Sequence, residues 1–292
     1  MLSNRRTSEK IIADCLILIR NLLYGALYLI AKATSRQEVS VLLYHSIGSN
    51  GSFYTVNPEQ FKMQMDYLRK NYRIVSLDEI MNFVEAKNKL PMKSVALTFD
   101  DGYYDNYINA YPYLRKYGLP ATIFITVGYV GKQMCLDGVL LRMLNWNEIK
   151  LMSSNKVDIG SHTITHPELH KISSEDVIKE IVGSKREIEE VIGKNVDYFA
   201  YPSSRFNKKI INLVKSSGFR GAFGESGLIK PGDNPFCVKR ISVDKSINFW
   251  LFKARLTVAT EWYKAVEKYL GIILKKLLVG SLIVRAYNNA GK

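Results

Sequence analysis

Two acidic residues stand side by side where an apolar, strand-like run ends. Asp100 and Asp101 follow the stretch SVALTF and precede Gly102. Adjacent side chains on a strand point to opposite faces, but a glycine tolerates backbone angles that bring both carboxylates to one pocket. Neighbouring carboxylates repel unless a cation binds one of them, which lets the other stay ionised as a base. A turn with Asx hydrogen bonds is the structural alternative for Asp-Asp-Gly.

Two of the chain's four histidines lie close together in the stretch SHTITH. His162 and His166 are four residues apart and follow the strand-like run VDIGS. Imidazoles at this spacing can converge on one metal ion, although surface or core histidines are an alternative. Together with one aspartate they would supply three protein ligands and leave a position for water, as catalytic zinc sites do. Water held there would be a better nucleophile.

The segments around these residues alternate between strand-like and helix-like patterns. We expect strands at residues 38–47, 94–99, 121–130, 157–162, 196–202 and 221–226, with helices between them at residues 58–72, 106–117, 146–153, 174–192 and 207–217. Another helix is predicted after its cap at Ser76. This alternation predicts parallel βαβ units that close into a barrel, with the chemistry at the carboxyl ends of the strands.

The two motifs together resemble the polysaccharide deacetylase family, the NodB-like metal-dependent carbohydrate deacetylases. TFDDG at residues 98–102 resembles the first motif of the family, and SHTITH at residues 161–166 resembles the second. The resemblance runs from about Val39 to Val243 and is closest to the poly-N-acetylglucosamine deacetylase branch. It implies an α/β protein with a distorted (β/α) barrel, and a hydrolase that removes acetyl groups from N-acetylated glycans.

The resemblance also implies roles for individual residues. Asp101, His162 and His166 would bind a divalent metal, zinc being the expected ion, and Asp100 would be the general base. Many family members take the acid from a late Leu-x-His motif, which this sequence lacks. In the poly-N-acetylglucosamine branch the histidine of an early Tyr-His plays that part, so His45 is the predicted general acid. A structural histidine at a strand end is the alternative.

The third family motif departs from its usual form. Members show Arg-x-Pro-Tyr or Tyr-Pro-Tyr-Gly, whereas this chain has Ala200, Tyr201, Pro202 and Ser203. The family places a backbone N–H of this motif at the oxyanion, and the replacement by Ser203 keeps such a donor. We therefore expect Tyr201, Pro202 and Ser203 to bind substrate. The departure also leaves open a catalytically impaired relative that binds glycan without hydrolysing it.

Charge is concentrated at the two ends of the chain. The net charge is +14, with 11 Lys and Arg against 3 Asp and Glu in residues 239–292, and 6 against 3 in residues 1–40. Basic ends suggest an anionic surface such as a membrane. A nucleic-acid partner is not expected, because no recognisable binding module accompanies the charge. Three scattered cysteines without a Cys-x-x-Cys pair predict neither a disulfide scaffold nor a cysteine zinc site.

Both ends carry amphipathic segments. Residues 11–31 are mostly apolar, but Asp14 and Arg20 interrupt the run and would be costly inside a bilayer. A helix in the membrane interface fits the pattern best, with a signal or spanning segment and a helix packed on its own domain as alternatives. Residues 262–278 predict either a packed helix or a second basic, membrane-facing one.

These patterns give a predicted domain organisation. Residues 1–37 would form an N-terminal amphipathic segment, residues 38–243 the NodB homology domain, and residues 244–292 a basic helical extension. The expected location is membrane-associated or in the cell envelope, with a peripheral protein of the cytoplasm as the alternative.

Overall fold

The computed structural model describes residues 22–34, 38–136, 138–266 and 268–269. The chain divides into two compact units. The larger is Arg36–Leu256, and the smaller comprises the two chain ends. In the smaller unit, residues 22–32 form helix α1, and residues 259–266 are also helical. Residues 1–21 and 270–292, which include much of the two predicted amphipathic segments, lie outside the described residues, and the predicted domain boundaries stay a prediction.

The larger unit is built around parallel strands. Its strands in chain order are β1 (Glu38–Tyr44), β2 (Ser46–Ile47), β3 (Thr55–Val56), β4 (Arg73–Ile74), β5 (Lys93–Phe99), β6 (Ala121–Ile125), β7 (Gln133–Leu136), β8 (Val139–Arg142), β9 (Val157–Ser161), β10 (Tyr198–Ala200), β11 (Gly221–Ser226) and β12 (Val238–Ser242). Strands pair in the order β1, β12, β11, β10, β9, β6, β5, and β5 returns to β1, which closes a seven-stranded barrel. The predicted barrel is therefore confirmed.

Helices follow most of the barrel strands. They are α2 (Pro58–Asn71), α3 (Leu77–Val84), α4 (Tyr111–Tyr117, preceded by a π-helical turn at Asn106–Ala110), α5 (Trp146–Ser153), α6 (Ser174–Ile192), α7 (Lys208–Ser216) and α8 (Phe249–Arg255). Local signals set their ends. Ser76 and Asn145 each form a capping box with the glutamate three residues later. Gly118 and Gly193 end α4 and α6 in the left-handed conformation.

The barrel strands are buried on both faces, as expected for a parallel sheet covered by helices. Every residue of β6 is buried, and so is β5 after its first residue. Inside the barrel, Phe124 packs against Phe223 with ring centroids 5.7 Å apart. Gly160 faces the same ring, and a Cβ at this position would lie 2.4 Å from Phe124 Cδ1. The interior at this level is thus a packed core.

Several predicted segments differ from the structure, among them the strand expected at residues 38–47, which is interrupted at His45 between β1 and β2. The strand expected at residues 121–130 ends at Ile125, where a 3₁₀ turn at Val127–Tyr129 follows, and the strand expected at residues 196–202 is reduced to β10. The antiparallel hairpin β7–β8 and strand β12 were not predicted. Strand β12 closes the barrel beside β1, with Leu42 opposite Ile241, and this pairing brings a further residue to the site described below.

Candidate functional site

The predicted chemical residues converge at the carboxyl ends of the barrel strands. His45 follows β1, Asp100 and Asp101 follow β5, and His162 and His166 follow β9. All five line one cavity of about 530 Å³. The other side chains around this cavity come from loops, strand ends and the hairpin strand β7: Leu43, Tyr54, Tyr103, Met134, Cys135, Leu136, Tyr201, Ser203, Ser204, Arg205 and Ser242. The alternation of strands and helices therefore assembles residues that are more than 100 positions apart.

A sharp turn separates the two aspartates. Asp101 and Gly102 both have positive φ, 72° and 86°, which ends the strand geometry directly after Asp100. A side chain at Gly102 would also be crowded, because its Cβ would lie 2.8 Å from Ile125 Cδ1. Left-handed backbone at a non-glycine residue is costly and is concentrated at functional sites. The turn sends Asp101 toward the two histidines and leaves Asp100 against a different partner.

Asp101, His162 and His166 form a set suited to a metal ion. Asp101 Oδ1 lies 3.5 Å from His162 Nε2 and 3.6 Å from His166 Nε2, too far for hydrogen bonds. Ligands about 2.1 Å from a tetrahedral ion stand about 3.4 Å apart, so these separations suit three ligands of one ion. Within the described residues, buried Asp101 Oδ1 has no hydrogen-bond partner. An orphaned buried acceptor is expensive unless a cation or proton donor joins it.

The environment of His162 prepares one ring nitrogen for metal binding. Its Nδ1 lies 2.8 Å from the Ala200 carbonyl oxygen, which can only accept, so Nδ1 carries the proton and Nε2 keeps its lone pair. Burial lowers the pKa of His162 to about 4, although the nearby Asp100 carboxylate partly opposes this. The imidazole is therefore neutral near pH 7. A hydrogen bond from the far nitrogen is the usual way in which proteins orient a histidine ligand.

Asp100 is held by an arginine that the sequence analysis missed. Arg240, on β12, places Nη1 2.7 Å from Asp100 Oδ1 and Nη2 2.8 Å from Asp100 Oδ2, and both side chains are buried. Burial by itself would raise the pKa of Asp100, but the charge and hydrogen bonds of Arg240, together with the charges of His162 and His45, outweigh it and lower that pKa to about 2. Asp100 is thus ionised throughout the neutral range.

Arg240 left only a weak signal in the sequence. It lies in the strand VKRIS next to Lys239, so its type and spacing do not single it out, although a fully buried arginine is rare unless it is paired. Ala200 of the third motif contributes its carbonyl oxygen to His162. The guanidinium beside Asp100 comes from β12, the strand that closes the barrel.

We expect Arg240→Leu to destabilise the fold and to shift the acid limb of activity upward in pH. Removing one partner of a buried ion pair costs about 3–5 kcal/mol, because the remaining charge is uncompensated. The folded pKa of Asp100 is about 2, below its unfolded value of about 3.9, so the stabilisation is full above pH 3.9 and is lost as the pH falls through 2. Denaturant unfolding at pH 7 and at pH 3 measures the stabilisation, and the pH–rate profile measures the shift of the acid limb.

Arg73→Leu is the matched control for that variant. Arg73 pairs with Glu79 at 2.6 Å, but its side chain is 57% exposed, so its loss should cost about 1 kcal/mol or less. An Arg240→Leu protein as stable as the parent at pH 7, with an unchanged pH–rate profile, would contradict the expectation.

The other predicted site residues differ in whether they line the cavity. The His45 ring reaches the cavity, and its Nδ1 is buried without a hydrogen-bond partner in the described part of the chain. Tyr201 lines the cavity, but its hydroxyl donates to the Phe236 carbonyl at 3.0 Å and is committed there. Pro202 is buried and is not among the lining residues. Ser203 lines the cavity with a φ of 54°.

Comparisons with known proteins agree with this architecture. The family model described as polysaccharide deacetylase matches residues 87–222. YxkH of Bacillus subtilis (strain 168) is 29% identical over 225 residues, covering 76% of this chain and 77% of that protein. The poly-beta-1,6-N-acetyl-D-glucosamine N-deacetylase of Staphylococcus aureus (strain MSSA476) is 29% identical over 201 residues, covering 65% of this chain and 68% of that protein. The solved structure of IcaB from Ammonifex degensii superposes with a TM-score of 0.66 at 27% identity, covering 75% of this chain and 97% of that one.

Proposed function

The chain belongs to the polysaccharide deacetylase family, and from this premise we propose that it is a metal-dependent hydrolase that removes N-acetyl groups from an N-acetylated glycan. One observation carries the proposal: an Asp-His-His set with an orphaned carboxylate oxygen lies beside a second carboxylate that is kept ionised. The relative from Staphylococcus aureus, by its name, acts on a β-1,6-linked N-acetylglucosamine polymer. For this chain we propose a substrate of the same chemical class, a polymer of N-acetylated sugars.

Asp101, His162 and His166 would hold the cation. Their three donor atoms lie within 4.8 Å of one another, and one carboxylate with two imidazoles is a donor set that suits zinc. When bound, a divalent cation would polarise the acetamide carbonyl and make water easier to deprotonate. The neutral state of His162 at pH 7 favours this role, since a protonated imidazole has no lone pair to offer.

The chain's own residues would move the protons. Asp100 takes a proton from the water whose oxygen forms the new bond to the acetamide carbon. The carbon–nitrogen bond then breaks, and His45 gives a proton to the departing amine, which leaves acetate and a free amino sugar. Arg240 fixes the direction of the Asp100 carboxylate throughout. The backbone N–H of Ser203 is the proposed donor to the oxyanion. Tyr201 and Pro202 would position the loop that contains Ser203.

The cavity also offers a surface that suits a sugar ring. Tyr54 lines it and is 41% exposed, and its ring centroid lies 5.2 Å from that of His45. An aromatic face that is partly open to solvent presents apolar surface together with a polar tip. A pyranose that placed its acetamide near His45 could therefore rest on Tyr54, which supports a carbohydrate substrate.

Acetate release from N-acetylglucosamine oligomers, with and without a chelator, tests the proposed function. We expect release that the chelator abolishes and that added zinc restores. Binding of the oligomers without metal-dependent release from any tested glycan would instead favour the alternative of an impaired, glycan-binding relative. An unaffected rate in the chelator would contradict the cation's part in the reaction.

We further propose that the smaller unit contacts an anionic membrane surface. In the part of the chain that the structure describes, no helix is both long and apolar enough to span a bilayer. Helix α1 nevertheless exposes large apolar side chains at spacings of seven and eight residues: Leu22 at 66%, Leu29 at 69% and Ile30 at 59%. Spacings of this kind place side chains on one face of a helix, and the chain ends carry the basic charge that anionic lipids attract.

We expect the double variant Leu29→Asp and Ile30→Asp to lower recovery with floated vesicles of three parts phosphatidylcholine and one part phosphatidylglycerol by at least about fivefold. Two buried apolar contacts of about 1.5–3 kcal/mol each are lost, and two repelled charges are added. Ile178→Asp with Val182→Asp on α6 is the matched control, because those side chains are also exposed, at 45% and 42%. Equal recovery of both double variants would argue against α1 as the contact surface.

A further inference from the structure

A second carboxylate-based network lies behind the residue proposed as the general acid. Asp105 follows Asp101 by four positions, in the turn that leaves β5. Its Oδ2 accepts a hydrogen bond from Ser46 Oγ at 2.5 Å, and its Oδ1 accepts one from the backbone N–H of Ile47 at 3.2 Å. Ser46 is the residue directly after His45. One carboxylate therefore connects the turn that carries Asp100 and Asp101 to the segment that carries His45.

Further hydrogen bonds hold the segment after His45, residues 46–55, in place. Ser46 Oγ also accepts from Asn50 Nδ2 at 2.8 Å and from Thr55 Oγ1 at 3.1 Å. Asn109, from the helical turn after Asp105, donates to the Ile47 carbonyl at 2.7 Å. The Asp105 carboxylate and the segment are in close contact, because a Cβ at Gly48 would lie only 3.1 Å from Asp105 Oδ2. Asp105 is the ionisable side chain of this network, and burial raises the pKa of its carboxyl.

The position of the His45 ring depends on this backbone. Within the described residues, His45 Nδ1 has no hydrogen-bond partner, in contrast to His162, whose Nδ1 is fixed by a carbonyl. The described ring contact of His45 is with Tyr54, whose ring centroid lies 5.2 Å from that of His45. Tyr54 belongs to the same hydrogen-bonded segment, residues 46–55. A ring without a hydrogen bond at Nδ1 relies on its main chain for placement. A displacement of about 1 Å at a reacting group can cost about 10²-fold in rate.

We infer that Asp105 is a positioning residue, which holds His45 at the distance from the Asp100–Asp101 turn that protonation of the leaving amine requires. The inference rests on the proposed function, because it assigns His45 to that protonation. It makes a selective prediction. An amine must gain a proton as it leaves, whereas a nitrophenolate leaves without one, so only amide hydrolysis should depend on the placement of His45.

The test compares two substrates in full-length, zinc-loaded protein: an N-acetylglucosamine pentamer and 4-nitrophenyl acetate. We expect Asp105→Ala to lower kcat on the pentamer at least about 10-fold and to change kcat on the ester less than about threefold. Asp105→Asn keeps one acceptor oxygen and should restore part of the loss. Ser46→Ala, which removes the same hydrogen bond from the other side, should reproduce the pattern if Asp105→Ala folds poorly. In a His45→Ala background, Asp105→Ala should have no further effect on the pentamer.

Asp233→Asn provides the control, since Asp233 likewise accepts from a backbone N–H, that of Lys230 at 3.0 Å, but does not line the cavity. Equal losses on both substrates, or losses for Asp105→Ala and His45→Ala that multiply in the double variant, would overturn the inference. A readout independent of turnover is the ¹H–¹³C imidazole resonance of His45, identified by its disappearance in His45→Ala. It should shift in Asp105→Asn and stay in place in Asp233→Asn, and an unmoved resonance would overturn the inference. A parent enzyme without any amide hydrolysis would contradict the proposed function and leave this spectroscopic test valid.

Discussion

Asp100→Asn is expected to lower kcat for acetate release by at least about 10²-fold and to leave the zinc content of the protein unchanged. General base catalysis contributes about 10²–10⁴-fold, and the neutral amide cannot accept the proton. The amide oxygen still accepts a hydrogen bond from Arg240, so the change removes charge with little change in shape. The measurements are steady-state acetate release and metal analysis of the dialysed protein.

The geometry explains why metal content should survive that change. The Asp100 carboxylate is turned toward Arg240, with both of its oxygens engaged at 2.7 and 2.8 Å, and its closest approach to His162 Nε2 is 3.8 Å. Asp244→Asn serves as the control, because Asp244 is also buried near the strand ends but, among the described residues, its carboxylate accepts hydrogen bonds from Ser246 of its own loop alone. Loss of zinc together with turnover in Asp100→Asn would mean that Asp100 is itself a ligand.

Asp101→Ala has the second large expected effect, the loss of both metal and activity. The alanine removes the one carboxylate of the Asp-His-His set, and two imidazoles at a partly open site bind a divalent ion far more weakly. Activity should fall to the level of the chelated parent protein. Metal analysis after dialysis against a weak chelator, followed by acetate release, measures both consequences.

Thermal unfolding gives Asp101→Ala a readout that needs no substrate. A ligand that binds only the folded state stabilises it by about 2.7 kcal/mol at a concentration 100 times its Kd, so zinc should raise the Tm of the parent protein. The Tm of Asp101→Ala should not respond to zinc. Without zinc the variant should be at least as stable as the parent, because it no longer buries an acceptor without a partner.

Glu168→Gln is the control for that variant. Glu168 is an acidic residue whose partners are Arg205 and Lys171, and its side chain is 34% exposed. Its replacement should leave zinc-dependent stabilisation intact. A Tm of Asp101→Ala that still rises with zinc would show that the ion binds elsewhere.

Features with local causes could be predicted from the sequence. Helices α5 and α6 begin and end at the predicted residues because capping side chains and a terminal glycine fix their limits within one turn. The strands were recognised as apolar runs, since parallel strands are buried on both faces. Their ends cannot be predicted from local sequence, as the shortened β6 and β10 illustrate, because pairing with neighbouring strands decides where a strand stops.

The sequence by itself determined which residues were candidates for the chemistry. Two short motifs can be recognised from residues adjacent in the sequence: Asp100 and Asp101 with Gly102, and the two histidines of SHTITH. Only the tertiary structure decided which carboxylate faces the histidines and which one pairs with Arg240. The turn at Asp101 directs one carboxylate to the histidines, and the closing strand β12 brings Arg240 to the other from 140 residues away. Likewise, Asp105 acquires a role only because β1 and β5 are neighbours in the barrel. Such partners are fixed by strand pairing and closure, which depend on contacts across the whole chain and leave at most a weak local signal.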